Sequence, residues 1–256
     1  MRKTVYVILT LIFAFALIFS GYKLYQEYSE QQESIDLYTD LEEFVSVPDE
    51  APNTTNPSES GETTPAYVGP AIDFDELKKI NDDCVAWIYI EDTDINYPIV
   101  QGSDNSYYLK HLIDGKWNSS GSIFMDSRVS ADISDRHSII YGHHMKNGTM
   151  FSGLTKYKEQ EYFDAHPEGW LITPEGTYRI EFFAGYVANV KSAAWDLEFE
   201  SDADFETWIK EAQKQSWFTS PFSPAVTDRI LTLSTCSYEF DNARYVLHGV
   251  VCEVEK

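Results

Sequence analysis

The sequence predicts a mainly β domain, a barrel or sandwich, preceded by an apolar N-terminal helix. Two observations carry this prediction. Many short apolar or alternating runs are separated by turn-forming residues, while only a few segments have helical spacing. The residues that follow Arg2 and Lys3 form a long run without charge.

That uncharged run, residues 4–22, predicts a membrane anchor within residues 1–23. At ~1.5 Å per residue a helix of this length is about long enough to cross the bilayer core. Basic residues before the span and acidic residues after it favour a single pass with a cytoplasmic N-terminus and the rest outside. A cleaved signal peptide is the alternative, but its apolar region would be long and no A-x-A site follows.

Residues 24–71 predict an acidic stalk and a linker. Apolar residues recur with loose helical spacing up to Val45, which indicates a short stalk helix. Residues 47–70 are rich in Pro, Ser, Thr and acids, so they favour an extended spacer that gives the domain reach from the membrane. The net charge of -23 argues against nucleic-acid binding.

We expect residues 72–256 to form the folded domain. Helical spacing occurs at 73–82 and 202–217, and 149–166 is helical or irregular. Strand patterns occur at 85–90, 95–102, 121–126, 137–145, 170–173, 177–187, 228–236 and from 244 onward. Asp92, Asp94 and Asn96 imitate the start of a calcium loop, but Tyr97 stands where its glycine belongs, so we interpret them as turn residues.

The stretch Asp228 to Cys236, DRILTLSTC, ends a predicted strand on a thiol. Side chains alternate along a strand, so Thr235 shares a face with the leucines while Ser234 and Cys236 share the opposite face. A lone cysteine in a strand is usually a small core residue. Two other stretches favour a reactive thiol instead.

These stretches supply an imidazole and a guanidinium. HSIIYGHHM, at residues 137–145, places His143 and His144 after a glycine, and Arg244 opens the last alternating run. An imidazole can take the proton of a thiol and later protonate a leaving amine, and an arginine can stabilise an oxyanion. The residue types therefore predict an acyl-transfer site, although Arg244 could equally be a salt-bridge residue.

The motifs YGHHM and TLSTC, with an arginine eight positions past the cysteine, resemble those of class B sortases, the membrane-anchored cysteine transpeptidases of Gram-positive bacteria. INYPIVQG and GSIFMD resemble that class too, and the likeness covers about 73–256. The resemblance implies an eight-stranded barrel with peripheral helices. It also implies Cys236 as nucleophile, His143 as acid/base residue and Arg244 as transition-state arginine.

The same resemblance implies the reaction and its partners. The enzyme would cleave a C-terminal sorting signal of an exported surface protein after Thr. It would pass the acyl group from Cys236 to an amine of a peptidoglycan precursor or a pilin. No metal or organic cofactor is implied, and the expected location is the cell membrane. The candidate substrate-binding residues are Ser234 and Thr235 beside the nucleophile, and Trp195 in the 183–199 segment, where the family's substrate groove would gain a wall.

The other cysteines and histidines carry weaker signals. Cys84 and Cys252 lie in apolar strand patterns, so we expect both to be core residues. A disulfide between them is the alternative that the sequence leaves open. The adjacent His143 and His144 would point to opposite faces of an extended chain, which makes a poor metal pair. For the other four histidines, surface or hydrogen-bonded core positions are expected.

Two other functions use the same observations. A cell-wall cysteine peptidase or hydrolase would need the same thiol and imidazole, but in the common papain-like and NlpC/P60-like arrangements the cysteine precedes the histidine. A membrane-tethered binding domain without catalysis would leave Cys236 dispensable. The Cys, His and Arg set favours the transpeptidase over both.

Overall fold

The chain folds as a closed eight-stranded β-barrel with helices around it, and a computed structural model describes residues 2–46 and 69–254. The helices are α1 (Arg2–Leu41), α2 (Phe74–Ile80), α3 (Gln160–Ala165) and α4 (Asp202–Gln215). Single-turn or 3₁₀ segments lie at Glu42–Phe44, Tyr107–Leu109, Phe151–Lys158 and Ala193–Trp195. The predicted fold class is confirmed.

Ten strands are present in the described residues. They are β1 (Val45–Ser46), β2 (Ala71–Ile72), β3 (Cys84–Tyr89), β4 (Asn96–Val100), β5 (Ile123–Met125), β6 (His137–Tyr141), β7 (Glu168–Ile172), β8 (Thr177–Asn189), β9 (Arg229–Cys236) and β10 (Ala243–Glu253). The barrel order is β10-β8-β7-β3-β4-β5-β6-β9, and β9 closes it onto β10. The β4–β5 and β6–β9 pairs are parallel and the other barrel pairs are antiparallel.

The barrel has apolar contacts on both of its faces at β9 and β10. Leu231 and Leu233 belong to the barrel interior, whereas Ile230 belongs to a second apolar layer outside it. Helix α4 covers that outer layer with Phe205, Trp208, Ile209 and Ala212. The polar face predicted for β9 is therefore buried beneath a helical layer along much of its length, and it opens only towards Cys236.

The N-terminal helix is continuous from Arg2 to Leu41, so the predicted anchor and stalk form one helix. By length and composition alone, it is the one described helix able to cross a membrane, and its most apolar window is fully exposed. Near its C-terminal end Ser34, Tyr38 and Leu41 are buried against the barrel. The helical spacing that predicted a short stalk helix thus also marks a docking face.

Strands β1 and β2 bring the two sides of the predicted spacer together. Val45 pairs with Ile72 and Ser46 pairs with Ala71. Residues 47–68 lie outside the described part of the chain. The described segments on either side of the spacer therefore lie side by side, and the C-terminal part of α1 packs on the barrel.

Candidate active site

The predicted nucleophile lies at the end of a barrel strand. Cys236 is the last residue of β9 and is partly exposed. Its Cα partner on β10 is Arg244. Directly opposed residues on neighbouring antiparallel strands have Cβ atoms about 4.5–5.5 Å apart and point to the same face. Cys236 and Arg244 are therefore side-by-side neighbours on one face.

The Arg244 guanidinium has no carboxylate partner among the described residues. Its Nη1 donates to the Ala243 carbonyl at 2.9 Å, and it forms no ion pair with any carboxylate of the described residues. In a chain whose net charge is -23, an arginine without a carboxylate partner is unexpected on charge grounds alone. This guanidinium has donors left to bind a carbonyl or an oxyanion.

The imidazole of His143 is brought to the same end by the parallel pairing of β6 with β9. Tyr141 pairs with Ser234, and the Gly142 amide donates to the Ser234 carbonyl at 3.0 Å. Two residues beyond this pair lie His143, just past the end of β6, and Cys236, the last residue of β9. The parallel register thus places both on the face that Ser234 occupies.

One ring nitrogen of His143 is occupied. Nε2 lies 2.7 Å from the Leu109 carbonyl oxygen, which can only accept, so Nε2 carries a proton. Within the described residues no hydrogen bond joins His143 to the Cys236 thiol, and its other nitrogen, Nδ1, makes none. Long contacts between catalytic groups are common before substrate binds and do not exclude such a pair.

The neighbouring His144 has a different position. Its Nδ1 lies 3.1 Å from the main-chain oxygen of Cys236, and its ring packs edge-on against Tyr238 with centroids 5.3 Å apart. It therefore holds the backbone of the nucleophile rather than the thiol. As predicted for adjacent residues, the two histidines diverge, and sequence reasoning gave no role to His144.

Gly142 faces the barrel core. A Cβ atom there would lie 2.5 Å from Ile123 Cδ1 and 2.7 Å from the Phe151 ring. Neither group can be approached so closely, so only glycine fits between the core and the histidines. The glycine of the YGHH motif is thus a packing requirement.

The predicted substrate-binding residues beside the nucleophile separate onto two faces. Ser234 shares the face of Cys236, and its buried Oγ has no hydrogen-bond partner within the described residues. Thr235 pairs with Tyr245, whose ring lies in the barrel interior. Their two hydroxyls are also buried without partners in the described part of the chain. This geometry leaves Ser234 as a candidate contact and turns the Thr235 side chain away from the thiol.

Trp195 lies at a different location from the thiol. It lines a pocket of about 410 Å³ together with Arg128, His137 and Asp196. His137 begins β6 and pairs with Ile230, six residues before Cys236 on β9. At about 3.3 Å per residue these positions are roughly 20 Å apart. The structure does not bring the Trp195 pocket together with Cys236.

A buried polar chain fixes the 190–199 segment on the barrel. Asp196 O accepts from His137 Nδ1 at 2.7 Å, and His137 Nε2 lies 2.6 Å from Thr232 Oγ1, which lies 2.7 Å from His248 Nδ1. Because the Asp196 carbonyl can only accept, the proton of the neutral His137 ring is on Nδ1 and its Nε2 accepts from the Thr232 hydroxyl. The Thr232 oxygen in turn accepts from His248 Nδ1. Burial lowers the pKa of His137 to about 4. The pKa of His248 is also lowered, mainly by burial and to a lesser degree by the charge of His137. Both are hydrogen-bonded core residues.

A second buried network supports β6. Asp126 is fully buried and accepts three hydrogen bonds from Arg128, one from its amide and two from its guanidinium, and one from Tyr141 at 2.9 Å. Burial alone would raise the pKa of Asp126, but these hydrogen bonds outweigh it and bring the pKa to about 2. Tyr141 shares a face with Ser234, so the network fixes the strand just before His143.

The three cysteines are all free, so Cys84 and Cys252 form no disulfide. Cys84 is buried, and burial raises the pKa of its thiol to about 12. Burial, together with Glu181, also raises the pKa of the Cys252 thiol. Both thiols are therefore poor nucleophiles. In the described residues no three His, Cys, Asp or Glu side chains are grouped so that they could hold a metal ion.

The family model, the curated relatives and the solved structures that resemble this chain are all sortases. A sortase domain model matches residues 88–251. Sortase B of Listeria monocytogenes is 35% identical over 243 residues, 94% of each chain. A Staphylococcus aureus sortase B–substrate complex is 33% identical with a TM-score of 0.68 over 71% of this chain and 85% of that one. Sortase B from Bacillus anthracis is 30% identical with a TM-score of 0.72 over 88% and 99%.

Proposed function

This chain belongs to the sortase family as a class B member, a cell-wall sorting transpeptidase, and we propose that Cys236, His143 and Arg244 carry out its reaction. The observation that supports this assignment is the cross-strand pairing of Cys236 with Arg244, which forms no ion pair within the described residues. The β6–β9 register brings His143 to the same end of the barrel. Cys236 and Arg244 lie side by side on β9 and β10, and His143 follows the end of β6. The family's chemistry requires a thiol, an acid/base and an oxyanion donor at one point.

In the first half-reaction, the Cys236 thiolate attacks the carbonyl carbon of the threonine in a sorting signal. The carbonyl oxygen becomes an oxyanion, which the Arg244 guanidinium stabilises. The C–N bond then breaks, and the departing amine takes a proton from His143. The products are a thioester on Cys236, the released C-terminal peptide and a neutral His143.

The bond between His143 and Leu109 suits this role. An imidazolium donates through both nitrogens, and Nε2–H already points at the Leu109 carbonyl. The carbonyl therefore stabilises the charged ring, and in the proposed mechanism Nδ1 is the nitrogen that gives its proton to the leaving amine. His143 thus keeps one fixed contact and exchanges its proton at the other nitrogen.

In the second half-reaction, an amine attacks the thioester carbonyl and gives its proton to His143. The C–S bond breaks and the thiolate returns. The acceptor amine belongs to a peptidoglycan precursor cross-bridge or to a pilin lysine. Water in place of the amine would give hydrolysis, so the acceptor decides whether the product is an anchored protein or a free one.

The N-terminal helix α1 anchors the enzyme in the cell membrane. Its apolar part is long enough to cross the bilayer, and Arg2 and Lys3 precede that part. Basic residues on that side place the N-terminus in the cytoplasm and the barrel outside, where exported proteins with sorting signals pass.

The test uses the full chain in detergent with a panel of sorting-signal peptides, with and without an added amine, followed by mass spectrometry. We expect a thioacyl adduct on Cys236 and an amine-dependent ligated product. Both should disappear in Cys236→Ala and His143→Ala, while Cys252→Ala serves as the matched thiol control. Cleavage that persists in Cys236→Ala would refute the mechanism, and cleavage without ligation at any amine concentration would indicate a hydrolase.

A further inference from the structure

The stalk helix α1 contacts the barrel at one particular place. Four of its hydrogen bonds and one ion pair reach residues 116–122, in the segment between β4 and β5. Glu30 supplies its main-chain oxygen to Asn118 Nδ2 at 2.8 Å and a carboxylate oxygen to Ser119 Oγ at 3.0 Å. These contacts join the membrane-proximal helix to a single loop.

The most buried of these contacts is made by Tyr38. Its side chain is 6% exposed, and its ring packs edge-on against Tyr97 with centroids 5.4 Å apart. The hydroxyl donates to the Gly121 carbonyl at 3.1 Å and lies 3.2 Å from Ser122 Oγ. Since the ring is already anchored by packing, the hydroxyl holds residues 121 and 122 at a fixed position.

Residues 121 and 122 in turn support the peptide that contacts His143. The Ser122 amide donates to the Tyr108 carbonyl at 2.9 Å. Gly121 has φ +58, and a Cβ there would lie 2.8 Å from the Leu109 carbonyl oxygen. Gly121 therefore packs directly against the carbonyl that accepts from His143 Nε2 at 2.7 Å. A shift of residues 121 and 122 would move this carbonyl.

We propose that Tyr38 on the stalk helix is a positioning residue for His143, acting through residues 121–122 and the Leu109 carbonyl. The membrane anchor helix is then part of the active-site scaffold and not only a tether. This inference rests on the proposed function for the role of His143, but the contact chain itself can be measured without turnover. It also implies that a barrel lacking residues before 72 loses this support.

The experiment compares Tyr38→Phe with the unmodified full chain in lipid nanodiscs. Tyr28→Phe is the matched control, because Tyr28 lies on the same helix and is 62% exposed. ¹⁵N NMR of the histidine side chains reports the tautomer of His143, and hydrogen exchange reports the amides of 107–122. Peptide ligation is measured across pH.

For Tyr38→Phe we expect faster exchange in 107–122, a smaller Nε2–H population on His143, and a kcat about three- to tenfold lower, the range for one lost hydrogen bond. The pH profile of kcat should shift while the Tm stays close to that of Tyr28→Phe. Ser119→Ala, which removes one stalk contact and leaves Tyr38 in place, should give a smaller change of the same sign.

Identical His143 spectra and pH profiles in Tyr38→Phe and Tyr28→Phe would overturn the inference. A fall in kcat that simply follows a fall in Tm, with an unchanged pH profile, would also overturn it, because that pattern belongs to a purely structural residue. If the unmodified chain ligates no peptide with any amine, the proposed function fails, whereas the NMR and exchange measurements still decide whether Tyr38 positions His143.

Discussion

The buried His137 predicts that mild acid destabilises the fold. Its pKa is lowered to about 4 by burial, against an ordinary histidine value of about 6.5. The unfolded chain therefore binds a proton between these values that the folded chain does not. The stabilising contribution is complete above about pH 6.5 and is lost as the pH falls towards 4.

The magnitude follows from the two pKa values. Between pH 7 and pH 5 the unfolded histidine becomes almost fully protonated and the folded one stays neutral, which lowers the free energy of unfolding by about 2 kcal/mol. His248, whose pKa burial also lowers, adds a loss of the same sign. Asp126 adds little in this window, because its pKa of about 2 makes it lose stability only below about pH 4.

The assay is urea unfolding of the full chain in detergent at pH 7 and pH 5, followed by tryptophan fluorescence. His137→Gln should lower stability at pH 7 but reduce the difference between the two pH values by about 2 kcal/mol. The matched control is His166→Gln, at a partly exposed histidine, which should keep the full difference. An unchanged pH difference in His137→Gln, or no loss of stability in the unmodified chain between pH 7 and 5, would refute the reasoning.

Three further predictions concern the site and its supports. Gly142→Ala should cost about 1–3 kcal/mol of unfolding free energy in denaturant titrations, because its methyl group meets Phe151 at 2.7 Å; a stability equal to that of the unmodified chain would contradict this. Arg244→Ala should lower kcat by about 10²–10³ while the alkylation rate of Cys236 stays within a few fold, and full rescue by Arg244→Lys would argue against directional donors. Thr232→Val should cost about 1–3 kcal/mol in thermal unfolding, because one nitrogen of each buried imidazole, His137 Nε2 and His248 Nδ1, loses its partner, whereas Thr232→Ser should retain most of the stability.

The sequence alone predicted the strands well, because alternation and apolar runs record which residues are buried. The strand ending at Cys236 and the start of the last strand at Arg244 lie within a residue of their predicted bounds. The predicted run 137–145 begins where expected at His137 but is a strand only as far as Tyr141, because Gly142 ends it. The likeness of two motifs to those of one family identified that family correctly. The long uncharged run likewise predicted α1.

Contacts between distant segments could not be predicted from the sequence, since residue spacing shows that a side chain is buried but not by what. The docking of Tyr38 on residues 121–122, the Thr232 chain that holds two histidines, and the contact of His144 with the nucleophile's backbone each join residues far apart in sequence. None has a local signature.

The sequence by itself thus determined the strands, the apolar helix and the chemical groups of the site, because periodicity and residue type are local properties. The tertiary structure decided where those groups lie. The closed barrel pairs Cys236 with Arg244 and turns Thr235 towards the interior, and strand length separates Trp195's pocket from the thiol. Register and closure depend on the packing of the whole chain, so only the folded structure determines which side chains meet.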